Sequence, residues 1–398
     1  MRIAIFSDNF YPEISGISDS IITTGKELAK LGHKINFFAP KYSRKNYDLL
    51  KLPNEEINLG ENIRVTRLTS FPYPTGTAQS RLVIPCGFSL SAVKKFNPDI
   101  IHTNDIASMG IEALICAKFL KKPLVGTDHT PMVEFLKYSP IKGKFIQSMI
   151  SRYDALYYNQ CNFVSSPCNA IFEEIEKFGF NKPVHKALSN PIYIEEYKPV
   201  KNKWSLKKKY GLFDYSILYM GRLAFEKRID ISLKALAKLV RKYPKIGFVI
   251  AGKGAVEKDL KTLTKELDLE NNVKFFGFLK DKKDMVGIYN ACDLFSMTSI
   301  AETQSIVMMQ AMACKIPVIA VKAWGLKEYV NEKNGILINV NNPDELAEKI
   351  EYLYNNPSVS EKLGEGGRDF VENFSPIKIA KEWESIYEET IKSYKSSR

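Results

Sequence analysis

Short apolar runs rich in β-branched and aromatic residues alternate here with longer stretches of helical period, and that alternation leaves few folds open. Parallel strands cannot be closed by a hairpin. Each needs a crossover helix that then covers the sheet, so the pattern predicts βαβ units. Residues 2–7 read as a buried strand and 8–16 as a loop. Residues 18–31 read as a helix with Ile21, Ile22, Leu28 and Leu31 inward, Gly32 as its cap, and 34–39 as the second strand. Further strands are expected at 100–103, 123–127 and 162–166.

The alternation then restarts. Strands are expected at 216–220, 246–251, 272–278, 294–298 and 317–321, with helices at 230–242, 255–267, 285–291 and 305–313. Between the halves, residues 189–209 carry Asn-Pro, Lys-Pro and a lysine-rich run, the composition of a linker. The expected organisation is one Rossmann-like α/β domain over 1–190 and a second over 191–375. A last helix near 377–392, with Ile379, Ile386, Tyr387 and Ile391 on one stripe, is expected to cross back to the first domain. With 398 residues the chain is long enough for two cores.

Six scattered cysteines without a C-x-x-C pair, and only four histidines, argue against a structural zinc site. The apolar start of the chain is too short for a signal peptide, and no stretch approaches about 18 consecutive apolar residues. A cytoplasmic protein is expected. Lys and Arg total 57 against 45 Asp and Glu, a net charge of +12, which calls for an acidic partner: nucleic acid, an anionic membrane or a phosphorylated substrate.

Two doubly wound domains are expected to face each other across a cleft, with ligands beyond the carboxyl ends of the strands. Four loops sit there. The first, residues 10–17, brings Gly16 to a helix N-terminus, where backbone can approach a phosphate or sugar. The second, Gly221-Arg222-Leu223-Ala224-Phe225-Glu226-Lys227, puts a guanidinium and an ammonium where they can clamp a diphosphate. The third is Gly252-Lys253-Gly254. The fourth, residues 299–305, sets Glu302, Thr303, Gln304 and Ser305 before an apolar helix whose free N–H groups favour anions. His129 lies at the edge of a strand in the first domain. Each feature also has a plainer reading: a turn glycine, a solvated turn pairing with Glu226 or Asp230, a helix entry, a carboxylate N-cap, a structural histidine.

In this order and at these strand ends, the loops resemble the retaining GT-B glycosyltransferases of group 1, which use nucleotide sugars. The likeness runs from the Pro-x-x-x-Gly loop at Pro12–Gly16 to the C-terminal helix, and its most specific parts are G-R-L-x-x-E-K at 221–227 and the acidic motif from Glu302. The resemblance implies that Arg222 and Lys227 hold the donor diphosphate, Glu302 contacts the transferred sugar, and His129 faces the reacting anomeric centre. It places Gly16, Gly221, Gly252, Gly254, Thr303, Gln304, Ser305 and Gln310 on the donor. One position departs from the family: its second motif reads Glu, seven residues, Glu, the last on the nucleotide ribose, and here that place is Gln310. Loss of charge assistance there costs on the order of 1 kcal/mol. Ser305 replaces the usual glycine. No D-x-D motif stands in these loops, no tightly bound cofactor is implied, and metal is not required in this chemistry.

Residues 117–152 hold Lys118, Lys121, Lys122, Lys137, Lys142, Lys144 and Arg152 against Asp128 and Glu134, with Phe135, Tyr138, Ile141, Phe145 and Met149 interleaved. That mixture suits an interfacial segment on anionic lipid; the plain alternative is a helix with a core face and a solvated lysine face. The H-T-P and E-T-Q variants resemble bacterial diacylglycerol glucosyltransferases, monotopic enzymes at the inner face of the cell membrane. This implies transfer of glucose from UDP-glucose to 1,2-diacylglycerol. A GDP-mannose-dependent phosphatidylinositol mannosyltransferase, a transferase with a soluble acceptor, and a non-transferase such as an epimerase or binding protein stay open. Nucleic-acid binding is disfavoured, since no nucleic-acid module is present.

Overall fold

The computed structural model describes residues 1–13, 15–72, 80–130, 144–181 and 183–397. The chain divides into two compact units, Met1–Pro191 with Pro376–Arg398, and Ile192–Ser375.

The first unit is built on strands β1 (Arg2–Phe6), β2 (Lys34–Pro40) and β3 (Ile63–Leu68), a hairpin of β4 (Ser70–Pro72) and β5 (Arg81–Val83), and then β6 (Ile100–Thr103), β7 (Leu124–Thr127), β8 (Phe163–Ser166) and β9 (Val184–Ala187). Apart from the hairpin they form one parallel sheet in the order β3-β2-β1-β6-β7-β8-β9. The order reverses between β1 and β6, so the loops after these two strands flank the switch point where ligands of such sheets bind. Central strands β6, β7 and β8 are buried along their whole length, as expected when helices cover both faces. The last helix, Pro376–Ser396, belongs to this unit and packs on the helix Gly16–Lys30 through a stripe that includes Ile379, Trp383, Ile386 and Tyr387.

The second unit repeats the plan with β10 (Tyr215–Met220), β11 (Ile246–Ala251), β12 (Val273–Gly277), β13 (Leu294–Met297), β14 (Val318–Val321) and β15 (Gly335–Ile338), ordered β12-β11-β10-β13-β14-β15 and parallel throughout. Its switch point lies between β10 and β13. The fold is GT-B: two Rossmann-like doubly wound α/β units.

One expectation fails. The lysine-rich run read as part of a linker over 189–209 is a helix, Lys203–Tyr210, with Gly211 as its left-handed cap. Lys207 is buried there: its Nζ ion-pairs with Asp293 and donates to the carbonyls of Phe213 and Asp214. Its partners come from 6 to 86 residues downstream, so composition alone could not reveal the burial. Five of the six cysteines are buried thiols and Cys86 is exposed; none is disulfide-bonded.

Candidate functional site

In the second unit the sheet register brings three loops to one end: Met220 pairs with Ala251, and Leu218 with Phe295, so the segments after β10, β11 and β13 emerge together. The first two loops are locked backbone to backbone. Gly221 N donates to Ala251 O at 2.9 Å, Leu223 N to Lys253 O at 3.0 Å, and Gly252 N to Gly277 O at 2.8 Å. Glycine is required at this approach. A Cβ on Gly252, whose φ is +149°, would fall 1.8 Å from Gly221 O, and one on Gly254 would fall 2.1 Å from Leu223 O.

On that rigid base stand the charged groups. Arg222 Nη2 pairs with Glu226 Oε1 at 2.7 Å while half of the guanidinium side chain stays exposed. Its carbonyl accepts from Tyr219 Oη at 2.8 Å. Burial, with the Glu302 and Glu226 carboxylates behind it, pushes the Tyr219 phenol well above its ordinary range, so it remains a donor. Lys227 Nζ lies 2.5 Å from Glu302 Oε1. The loop after β13 is itself held by Ile300 N to Glu226 O at 2.9 Å, by Thr298 Oγ1 to Lys227 O at 3.1 Å, and by Gly325 N to Glu302 O at 2.9 Å. Arg222, Lys227 and Glu302 are thus carried by loops bonded to one another.

Glu302 does not cap the following helix, Ile306–Ala313. That task falls to Ser305, whose Oγ accepts from Met308 N at 3.4 Å and which is buried. Thr303 and Gln304 are buried beside it, with Gln304 Nε2 against Met309 Sδ at 3.2 Å. Gln310, on the same helix, has its Oε1 3.0 Å from Tyr289 Oη, which lies equally close to Val307 O. Its acceptor oxygen already has a protein partner.

In the first unit, Ser15 caps the helix Gly16–Lys30 by accepting from Ser18 N at 3.0 Å, and Gly16 is its exposed first residue. His129 follows β7 with Nε2 3.0 Å from Asn104 Oδ1. It lines a small recess with His102, Asn104, Thr127, Asn190 and Trp383. Burial pushes the His129 imidazole down to about 4, so the ring is neutral at neutral pH. His102 behind it, bonded to Tyr387 Oη and Thr127 Oγ1 at 2.7 Å each, is pushed down to about 3 by burial and by His129. Asn104, Tyr219 and Tyr289 were not singled out from the sequence. Asn104 directly follows a strand, the same signal that pointed to the other loops.

The helix Lys144–Tyr158 turns an apolar face to water: Phe145, Met149 and Leu156 are 77%, 55% and 63% exposed, at spacings of four and seven. Exposed Phe119 and Lys118 lie near its far end, where Lys118 Nζ donates to Gln160 Oε1 at 3.1 Å. Lys121 is exposed, and Lys122 Nζ reaches Asn97 Oδ1 at 3.0 Å. Lys137 and Lys142 lie outside the described residues, as does the side chain of Lys144. Among the described residues no helix is long and apolar enough to cross a membrane, and no group of three or more His, Cys, Asp or Glu is placed to hold a metal ion.

Two family models match successive parts of the chain: Glycosyltransferase Family 4 over residues 14–195 and Glycosyl transferases group 1 over residues 202–370. The chain is 27% identical to the alpha-monoglucosyldiacylglycerol synthase of Streptococcus pneumoniae over 80% of this chain and 71% of that protein. It is 24% identical to the enzyme of the same name from Acholeplasma laidlawii over 97% and 96%. Among solved structures, Anabaena HepE in complex with UDP and glucose superposes with a TM-score of 0.77 at 21% identity, covering 98% of this chain and 100% of that one.

Proposed function

We propose, for a chain that is a glycosyltransferase of GT-B fold, that it moves glucose from UDP-glucose onto 1,2-diacylglycerol with retention of the α configuration. The observation that carries the donor half is the convergence of Arg222, Lys227 and Glu302 on loops tied together at the switch point of the second sheet. The structure neighbour HepE holds UDP and glucose, which supports a UDP-sugar as co-substrate. The acceptor half is supported by the two synthase relatives and by the apolar face of the helix Lys144–Tyr158, with Arg152, Lys118 and Lys121 exposed around it. In this reading that face lies on an anionic membrane and the protein is a peripheral membrane enzyme.

Chemically, the bond between the anomeric carbon and the β-phosphate oxygen breaks while the acceptor hydroxyl oxygen bonds that carbon from the same face. The hydroxyl proton passes to the departing phosphate, and UDP leaves. The charge growing on that phosphate is the chemical problem. In this reading Arg222, half exposed and able to bond two oxygens, and Lys227 supply the compensating positive charge, the type of preorganised electrostatics that commonly dominates catalysis. Gly221, Gly252, Gly254 and Gly16 let backbone approach the donor, Glu302 meets the sugar, and His129 faces the anomeric centre. Thr303, Gln304, Ser305 and Gln310 shape the donor side, Gln310 with an oxygen already shared with Tyr289. The test is a donor screen with UDP-glucose, UDP-galactose and GDP-mannose, followed by the coupling constant of the product's anomeric proton. UDP-glucose and an α-linked product are expected; GDP-mannose as best donor, or a β linkage, overturns the reading.

A further inference from the structure

The helix Lys144–Tyr158 is held to the rest of its unit by three phenols: Tyr153 Oη donates to Ile106 O at 2.7 Å, Tyr157 Oη to Gly110 O at 2.6 Å and Tyr158 Oη to Thr127 O at 3.1 Å. Tyr158 thus reaches the residue before Asp128, and Asp154 lies one turn before Tyr158 on the same buried face. Asp154 and Asp128 are 3% and 4% exposed, and the Asp128 charge acts on Asp154. Asp128 N donates to Ser165 O at 2.9 Å and Asp128 Oδ1 accepts from Thr130 N at 3.1 Å, which fixes this carboxyl in the loop after β7. Its other oxygen is left over. Asp128 Oδ2 and Asp154 Oδ1 are both buried with no hydrogen-bond partner in the protein, as is Ser151 Oγ one turn earlier on the helix.

Two ionised carboxylates cannot settle in such a place. Burial strips their hydration, no basic side chain among the described residues compensates them, and each repels the other. The titratable groups that share this environment are the Tyr153 and Tyr158 phenols and the Cys161 thiol, all raised by burial and uncharged. His129, next in the chain, is neutral, Arg152 on the same helix is exposed, and Asp105 is bonded instead to Ser7, Asp8 and Asn9. The neighbouring helix Asn169–Glu176 buries Ile171, Phe172 and Ile175 and not its glutamates. One proton resolves the conflict, because a protonated carboxyl donates to the free oxygen of its neighbour. We propose that Asp128 and Asp154 share a proton that latches the helix Lys144–Tyr158 onto the loop after β7, and that alkaline pH opens the latch. Burial raises Asp128 to about 7, and burial with the Asp128 charge raises Asp154 well above the usual carboxylate range. The folded chain therefore binds more protons than the unfolded one, and stability falls as pH rises through this range. The loop carries His129 and the helix carries exposed Phe145, Met149 and Leu156, so the latch joins a surface face to the candidate site.

Denaturant unfolding of the full chain is followed from pH about 5 to about 9 in the wild type, Asp128→Asn and Asp154→Asn, whose amides keep the carboxyl shape. Each variant should flatten the rise of the unfolding constant with pH by about tenfold per pH unit where the shared proton is lost, and the double variant should add little to either. At pH about 9, trypsin should cleave after exposed Arg152 about tenfold faster in the wild type than in Asp154→Asn. Carbon-13 carboxyl spectra of the wild type, assigned by whichever variant folds, should show a protonated carboxyl in the pair at neutral pH. Both carboxyls ionised at neutral pH, or a slope unchanged in both variants, overturns the proposal. Stabilisation of the wild type at alkaline pH by magnesium or calcium chloride, absent from Asp154→Asn, overturns it too, since a metal ion would then neutralise the pair. These readouts need no substrate and stand apart from the glucosyl-transfer reading. The link to turnover rests on that reading: Asp154→Asn should stay active further into the alkaline range than the wild type. Identical alkaline limbs overturn that link, while the donor reading is judged on Arg222 variants.

Discussion

Lys227 Nζ and Glu302 Oε1 sit 2.5 Å apart with 16% and 12% of their side chains exposed, and they join the loop after β10 to the loop after β13. Both groups belong to the motifs that point to the donor site, and they satisfy each other. A largely dehydrated pair of this kind costs little to keep and much to halve, because the survivor is left charged and unpaired. Lys227→Ala should therefore destabilise the protein by about 3 kcal/mol, and Lys227→Ala with Glu302→Ala by less than the sum of the single variants. Denaturant midpoints of the four proteins measure this. Strict additivity would show that the two charges do not depend on each other.

Arg222 behaves differently because half of its side chain is in water. Arg222→Ala should change stability by about 1 kcal/mol or less. It should nevertheless lower kcat/KM by about a hundredfold or more, and Arg222→Lys should recover little, since a point charge does not replace a planar fork. Turnover unchanged in Arg222→Ala would take this side chain out of the site.

The glycine pair is testable without any substrate. Gly252→Ala forces a methyl group to 1.8 Å from Gly221 O at a φ of +149°, so the two loops must part. A loss of about 2–4 kcal/mol is expected from overpacking and backbone strain together, with loss of UDP binding by calorimetry. Wild-type stability and affinity would mean that the loops are not locked as described.

Acid should expose the buried histidines. His102 and His129 are held below the ordinary imidazole value of about 6.5, so between about 6.5 and their folded values the unfolded chain binds more protons. Their contribution is complete above that window and falls as pH drops through it. Four buried carboxyls act the other way: burial raises Asp8 to about 6 and Asp128 to about 7 and pushes Asp105 and Asp154 well above the usual carboxylate range, so each binds its proton in the folded state and stabilises at lower pH. The histidine share is isolated by His102→Gln, which should reduce the fall in unfolding free energy between the ordinary histidine range and pH about 4 by about 1.4 kcal/mol per pH unit. An unchanged slope would contradict a neutral buried His102.

The apolar helix face gives a surface prediction. Met149 and Leu156 are 55% and 63% exposed, so glutamate at either should leave folding within about 0.5 kcal/mol of wild type. Sedimentation with anionic vesicles should fall, and added salt should weaken what remains. Equal sedimentation of Leu156→Glu and wild type would place the membrane contact elsewhere.

Much of this architecture is written in local pattern. Strands such as Ile246–Ala251 are unbroken apolar runs buried on both faces, which is why the alternation stood out. Edge strand Val184–Ala187 has three exposed residues of four and no such signature. The helices Pro343–Asn355 and Pro357–Val371 carry a start signal in the sequence: each begins Asn-Pro, with proline at the first helical turn. At the site, the motifs named Arg222, Lys227 and Glu302, but their partners come from packing. Nothing in the sequence joins Lys227 to a carboxylate 75 residues away, or Gln310 to Tyr289 21 residues earlier on another helix. Asn104 was hidden for the same reason, since it meets His129 from 25 residues away in the chain.

Glucosyl transfer to a lipid is measured directly by incorporation of label from UDP-glucose into the organic phase. The protein is incubated with 1,2-diacylglycerol in anionic vesicles, with Arg222→Ala as the control. Labelled monoglucosyl diacylglycerol, dependent on both lipid and Arg222, is the result expected. Label that stays wholly in the aqueous phase with every nucleotide sugar offered, while the folded protein still binds UDP, would contradict it.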